Sequence, residues 1–257
     1  MTQSKLHLAL LINDVPMDQV LERAGDYAEQ YRYLFERASQ NSIEITWDTF
    51  NVVHNQELPS YQAIENRTYD AIILTGSKYN AHDNDPWILK LVEFVRTVQT
   101  DYTDKVKLIG FCFGHQVMIR AAGGKTGRNN AGWEVGWYQI QLTKEGQAFF
   151  KTDKPVIRIN QFHQDHVIQL PPKYVTLGYT EGNTPHHLTA STNGQCLTIQ
   201  GHPEFSRETM RTMIYYRKLS GVLKEEEADR FMHVTETAPP EMEDVWFAEK
   251  AIDFIKQ

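Results

Sequence analysis

Apolar positions along the chain fall into short runs separated by stretches with a helical repeat. The first run is Leu6-His7-Leu8-Ala9-Leu10-Leu11-Ile12. It is far shorter than the roughly 18 apolar residues a membrane span needs, so it reads as a buried strand. It contains a histidine, meets Asn13-Asp14 at once and has no small-residue cleavage site, which argues against a signal core. Val20, Leu21, Ala24, Tyr27, Ala28, Tyr31, Leu34, Phe35 and Ala38 then recur at helical spacing. They predict one amphipathic helix over about 18–40. Ile43 to Phe50 alternates and is rich in β-branched and aromatic residues, so it reads as a second strand. Ala71 to Leu74 is a short buried strand ending in Thr75-Gly76-Ser77. Trp87, Leu91, Phe94 and Val95 mark a helix that starts near Pro86, a residue suited to a first turn. Val106 to Phe111 is the next strand, and the helix after it runs to Ala122 and stops at Gly123-Gly124. Strands and helices in alternation, with strands apolar on both faces, predict a parallel sheet covered on each side.

The pattern changes in the middle. Lys125 to Leu142 and Val156 to Ile199 hold short strand-like runs broken by Gly, Asn and Pro. Such runs predict hairpins or an antiparallel extension of the sheet. Two helices close the chain, near 206–219 and 244–256, with Thr237-Ala238-Pro239-Pro240 as a linker between helical pieces. The longest charge run, Glu225-Glu226-Glu227, reads as a solvated helix face. The expectation is a single doubly wound α/β domain over 1–257, with a mostly parallel central sheet, an antiparallel extension and the helices of about 206–257 packed on it.

Composition narrows the partners. Hydrophobic residues make up 41% and charged residues 23%, which is globular and excludes disorder and coiled coil. Lys plus Arg is 26 against 33 for Asp plus Glu, a net charge of −7. That balance disfavours nucleic acid or an anionic membrane as the main partner. The two cysteines, Cys112 and Cys196, make no disulfide framework, so a reducing compartment, the cytoplasm, is expected.

One of those cysteines carries the chemistry. In Leu108-Ile109-Gly110-Phe111-Cys112-Phe113-Gly114-His115-Gln116 an apolar strand runs straight into Cys112 and a helix follows with almost no loop. This is G-x-C-x-G, the cysteine form of the nucleophile elbow. Gly110 and Gly114 have no Cβ, so the chain can double back there without a clash. The nucleophile then points out of the C-terminal edge of the sheet, where α/β folds keep their sites. A helix N-terminus carries roughly half a positive charge, which favours a thiolate over a thiol. Cys196 lies within Gln195-Cys196-Leu197-Thr198-Ile199 and reads as an ordinary core residue.

A thiolate nucleophile needs a proton carrier for the leaving amine. Among ten histidines, His202 in Gly201-His202-Pro203-Glu204 is the best placed. It follows the apolar run Cys196 to Ile199 and precedes a helix, so it too stands at the C-terminal edge. Glu204, two residues on, can accept the second imidazole N–H and fix the tautomer. Gly76 and Ser77 end a strand expected to neighbour the elbow strand. One of their N–H groups, with that of Phe113, can hold the oxyanion of a tetrahedral intermediate.

Gly110-Phe-Cys112-Phe-Gly114-His115-Gln116 and Gly201-His202-Pro203-Glu204, in that order and about 90 residues apart, resemble the class I, triad-type glutamine amidotransferases. The resemblance extends to Thr75-Gly76-Ser77-Lys78, Asp85 to Leu91, Gly123 to Arg128 and His163-Gln164-Asp165, segments similar to a stand-alone fungal and plant branch that includes the γ-glutamyl peptidases. It covers about 70–207 well. It implies a flavodoxin-like fold, Cys112 as nucleophile, His202 as base and acid, Glu204 as orienting carboxylate, and oxyanion donors at Gly76 or Ser77 and at Phe113. It further implies that Gln116 contacts the glutamyl group. The His163-Gln164-Asp165 loop matches the place where relatives grip the α-amino and α-carboxylate ends. No cofactor is implied.

The remaining candidates read as structural. His115 suits packing and hydrogen bonding at the helix start. His163 and His166 are three apart, but no third ligand follows at a characteristic spacing, so no metal is expected. Trp133-Glu134-Val135-Gly136-Trp137 fits either a cleft wall or a core strand, and Glu134 receives no role. The expected activity is cysteine-dependent hydrolysis of γ-glutamyl amides, glutamine or peptides such as glutathione, through a γ-glutamyl thioester. Two alternatives are a glutaminase subunit that passes ammonia to a separate synthetase, and a non-catalytic regulator that keeps the fold.

Overall fold

Strands that alternate between two apolar faces make the centre of this fold. The structure is a computed structural model that describes residues 4–40 and 42–257. In chain order the elements begin with β1 (Ser4–Ile12), α1 (Asp18–Ala24), α2 (Tyr27–Ser39), β2 (Ile43–Asn51), α3 (Val52–Asn55), α4 (Tyr61–Glu65) and β3 (Ala71–Leu74). Then come α5 (Pro86–Asp101), β4 (Lys107–Phe111), α6 (Phe113–Ala121), β5 (Lys125–Arg128), β6 (Glu134–Leu142) and α7 (Lys144–Phe150). The chain ends with β7 (Val156–His163), β8 (Asp165–Gln169), β9 (Tyr174–Tyr179), β10 (Leu188–Ser191), β11 (Cys196–Ile199), α8 (Arg207–Leu219), α9 (Glu225–Glu236) and α10 (Asp244–Ile255).

Among the described residues, one mixed sheet has the order β2-β1-β3-β4-β11-β10-β9-β6-β7, and β5 pairs with β8 separately. The pairings from β2 to β11 are parallel, and those from β11 to β7 are antiparallel. The expected parallel centre with an antiparallel extension is therefore what forms. In β1, Leu8 and Leu10 pack with Tyr31, Phe35 and Phe247 on one face, from α2 and α10. Ala9 and Leu11 pack with Leu91, Val95 and Val117 on the other, from α5 and α6. A third apolar cluster joins Val135 of β6 to Ile214 and Phe231 of α8 and α9.

Two expectations need correction. The helix read over about 18–40 is two helices. Gly25 adopts φ +76° between them, and Asp26 caps α2 in a reciprocal box with Glu29. The apolar repeat carries on in phase across the break, so periodicity alone hides it. The chain also closes with three helices rather than two. Glu225-Glu226-Glu227 is the solvated helix face expected, and it forms the first turn of the added helix α9, whose Ala228 and Phe231 are buried. Acidic side chains there complement the positive end of the helix dipole.

The topology decides where the site lies. β3, β4 and β11 are adjacent and parallel, with Leu74 beside Gly110 and Phe111 beside Ile199. Their C-terminal ends release Thr75-Gly76-Ser77, Cys112 and Gly201 to Glu204 at one edge of the sheet.

Candidate active site

Cys112 joins β4 to α6 with φ +47° and ψ −102°, a conformation L-residues rarely adopt. Such a residue costs of order 1–3 kcal/mol and persists only where its surroundings impose it. Here the Cys112 N–H donates to the Ile199 carbonyl at 2.8 Å, and its own carbonyl accepts the Gln116 N–H at 3.1 Å. The flanking glycines are required by contact. A Cβ at Gly114 would lie 2.5 Å from the Leu74 carbonyl oxygen, and one at Gly110 would lie 2.7 Å from the Gly114 carbonyl.

The imidazole of His202 joins the three expected groups. Its Nδ1 is 2.7 Å from Glu204 Oε1, and its ring lies beside Cys112: a Cβ built at Gly76 would come within 4 Å of both His202 Cε1 and Cys112 Cβ. Phe205 stacks flat on the ring at 4.2 Å. Burial by itself lowers the His202 pKa, but the charges and hydrogen bonds of Cys112 and Glu204 outweigh it and raise the value above the ordinary histidine range. This environment favours the imidazolium. Cys112 and His202, far apart in sequence, thus meet at the sheet edge.

The other expected residues surround them. Gly76 lies beneath both groups: a Cβ there would come 2.7 Å from His202 Cε1 and 3.6 Å from Cys112 Cβ. Among the described residues, the N–H groups of Gly76, Ser77 and Phe113 have no backbone acceptor, which leaves them free for an oxyanion. Ser77, Cys112, Phe113, Gln116, His163, Gln164, Asp165 and His202 all line one cavity of about 810 Å³. Gly76 and Glu204 do not line it; Glu204 stands behind the imidazole. Gln116 donates through Nε2 to the Asp165 carbonyl at 2.9 Å. The Asp165 carboxylate is held by Arg128 at 3.1 Å, and Arg128 also reaches Gln164 Oε1 at 2.7 Å.

The residues read as structural stay apart from the chemistry. His115 is fully buried, with Nδ1 2.7 Å from the Thr198 hydroxyl, and it does not line the cavity. Cys196 is buried in β11, and burial pushes its thiol up to about 11. His163 and His166 do not pair. Instead the ligand atoms of Glu134, His163 and His187 lie within 4.8 Å of one another, so a third partner exists in space where the sequence spacing gave none. Both Glu134 oxygens already accept threonine hydroxyls, and His187 Nε2 is 2.9 Å from Gln161 Oε1. Internal hydrogen bonds therefore use most of this donor set.

Comparison with known proteins agrees with the geometry. The family model for glutamine amidotransferase class-I matches residues 26–221. The chain belongs to that family. A glutamine amidotransferase-like protein of Schizosaccharomyces pombe is 36% identical over 90% of this chain and 92% of its own length. Gamma-glutamyl peptidase 3 of Arabidopsis thaliana is 28% identical over 93% of each chain, and gamma-glutamyl peptidase 4 of the same plant is 33% identical over 71% of each. Among solved structures, a glutamine amidotransferase from Thermotoga maritima superposes with a TM-score of 0.70 at 16% identity, over the whole of both chains. That likeness speaks for the flavodoxin-like fold of the class-I amidotransferases.

Three side chains around the site of this class-I amidotransferase were not singled out from sequence. Tyr31 on α2 donates its hydroxyl to Glu204 Oε1 at 3.2 Å. Gln200 donates through Nε2 to Cys112 Sγ at 3.4 Å and accepts Gln116 Nε2 at 2.9 Å. Glu134 Oε2 lies 2.9 Å from His163 Nε2. Gln200 lies next to the Gly-His-Pro-Glu segment and was within reach of inspection. Tyr31 and Glu134 come in only through packing and strand register.

Proposed function

We propose that this chain hydrolyses γ-glutamyl amide bonds through a covalent thioester. The observation that carries the reading is the strained Cys112, which shares one cavity with an imidazole held from behind by Glu204. The Cys112 thiolate attacks the side-chain carbonyl of a γ-glutamyl group and forms a C–S bond. The resulting oxyanion accepts N–H bonds from Phe113 and from Gly76 or Ser77. The intermediate collapses, the C–N bond breaks, and His202 gives its proton to the departing nitrogen. Water then attacks the thioester while His202 takes a proton from it. The C–S bond breaks, and glutamate and the thiolate are released.

The cavity favours a substrate larger than glutamine. Besides Cys112 it is lined by Trp133, Phe162, Met213, Arg217 and Val222. Its volume of about 810 Å³ is at the upper end of the usual range for small-molecule sites, leaving space for a peptide leaving group. Hydrolysis of γ-glutamyl peptides such as glutathione by the free-standing protein is therefore the preferred reading. The names of the plant relatives support it. Free, buried cysteines suit a reducing compartment such as the cytoplasm, and no helix among the described residues is long and apolar enough to cross a membrane.

The test compares the purified protein on glutathione and on glutamine, with and without cell extract. The expected result is turnover of glutathione by the protein alone. Replacement of Cys112→Ala should lower kcat/KM by at least about 10⁴-fold. Glutamine turnover that requires extract would mean an ammonia-accepting partner instead. Normal turnover by the alanine variant would overturn the mechanism. Failure of the folded wild-type protein to react with a diazoketone analogue of glutamine at Cys112 would favour a regulator.

A further inference from the structure

A second carboxylate–imidazole pair lies outside the group just described. Glu134 on β6 stands directly opposite His163 on β7, and both are buried. Glu134 Oε2 is 2.9 Å from His163 Nε2. The hydroxyls of Thr180 and Thr184 donate to its two oxygens at 2.6 and 2.8 Å. A buried carboxylate is tolerated only when its oxygens are paired in this way. Burial raises its pKa, but the adjacent His163 and the Thr180 hydrogen bond hold it down at about 2.

The other nitrogen of the same ring faces forward. His163 Nδ1 is 3.0 Å from the Asp165 carbonyl oxygen. The ring thus sits between the Glu134 carboxylate and the Asp165 carbonyl, with an oxygen near each nitrogen. The Asp165 carbonyl also accepts Gln116 Nε2 at 2.9 Å, and Gln116 reaches Gln200, which reaches the Cys112 sulfur. A continuous line of polar contacts thus runs from Glu134 through His163 to the Asp165 carbonyl, and on by hydrogen bonds through Gln116 and Gln200 to Cys112. His163, Gln164 and Asp165 form one wall of the cavity.

Resting on the γ-glutamyl reading of the site, we propose that Glu134 is a positioning residue. Acting through His163, it fixes the Asp165 carbonyl and with it the wall against which the glutamyl end is seated. Glu134 touches neither substrate nor the reacting atoms. Its effect therefore falls on recognition of the glutamyl group, not on the reactivity of Cys112.

The experiment is a double-mutant cycle of Glu134→Gln and His163→Asn in the full chain. Asparagine keeps a donor near the position of Nδ1 but does not reach Glu134. The readouts are KM and kcat on glutathione, and the rates at which Cys112 reacts with the diazoketone glutamine analogue and with iodoacetamide. Glu134→Gln should raise KM about fivefold or more, with kcat within about threefold, as expected when a contact that positions the wall is weakened without touching the reacting atoms. It should slow the glutamine analogue by a similar factor and leave iodoacetamide within about twofold. In the His163→Asn background Glu134→Gln should add nothing, because the path through His163 is already cut. Unchanged KM, multiplying effects, or equal loss of reaction with both electrophiles would overturn the proposal. A wild-type protein inert to both γ-glutamyl substrate and glutamine analogue would instead bring down the functional reading itself, and this inference with it.

Discussion

Gly76 and Gly114 stand on either side of the nucleophile and resist a methyl group for different reasons. A Cβ at Gly114 would meet the backbone of β3, 2.5 Å from the Leu74 carbonyl oxygen, and a strand inside a two-faced core cannot yield. Gly114→Ala should therefore destabilise the protein by more than about 2 kcal/mol, read as a lowered urea midpoint. A Cβ at Gly76 would press instead on His202 Cε1 at 2.7 Å. That ring is held by Glu204 and Cys112 but can tilt, so Gly76→Ala should cost mainly kcat, by about 10²-fold, with a urea midpoint close to the wild type. If the two variants lost stability equally, the contact-based distinction between them would be wrong. At this scale the sequence was informative where residue type is forced by local geometry. The glycines of the elbow, Cys112 and the His-Pro-Glu segment announce themselves because few residues fit their conformation. Tyr31 and Glu134 carry no such mark. A tyrosine at helical spacing reads as core, and a glutamate between tryptophans reads as nothing until β7 is laid beside β6.

The break between α1 and α2 shows what periodicity measures and what it misses. Tyr27, Tyr31, Leu34 and Phe35 keep the same apolar spacing as Val20 and Ala24 in the sequence, although the two helices are separate. Gly25-Asp26 was the available signal: a residue free to take positive φ, followed by a capping side chain. The Asp26 carboxylate accepts the Glu29 N–H at 2.8 Å, and Glu29 returns a bond to the Asp26 N–H at 2.9 Å. Asp26→Ala should cost about 1 kcal/mol of stability, measured by urea unfolding. Glu29→Gln keeps the return bond and should cost less. α2 also delivers Tyr31 to Glu204, so loosening its first turn should weaken the support of the carboxylate without removing any group that reacts. The parallel strands were legible because each is a short run apolar on both faces. The order of β6, β7, β9, β10 and β11 was not, since antiparallel neighbours are chosen by contacts distant in sequence. That hidden order is what places Glu134 opposite His163.

Across the whole molecule, buried ionisable groups decide how stability responds to acid. Burial holds His187 down to about 3 and His115 well below the ordinary value, so both stay neutral in the folded chain under mildly acidic conditions. In the unfolded chain a histidine takes up its proton near pH 6.5. Between that pH and the folded values the unfolded state binds more protons, and stability must fall as pH falls. His166 and His186, also lowered by burial, act in the same direction. Glu134, held at about 2, adds its share only below its unfolded value of 4.5, as the unfolded carboxylate protonates before the folded one. His202 has the opposite sign. Its pKa is raised on folding, so its contribution is complete below pH 6.5 and is lost on the alkaline side as pH rises through the folded value. In the acid range it is charged in both states and gives no slope. The expected result is a urea-derived stability that declines steadily from pH 6.5 towards 4.5 and more steeply below. Each buried histidine contributes about 1.4 kcal/mol per pH unit once pH is well below its unfolded value. His187→Gln should remove one such share per pH unit from about pH 6 down to about pH 3, on both sides of pH 4.5. Glu134→Gln should flatten only the limb below about pH 4.5 and spare the upper. Identical slopes in all three proteins would mean that these groups are not the source of the acid sensitivity.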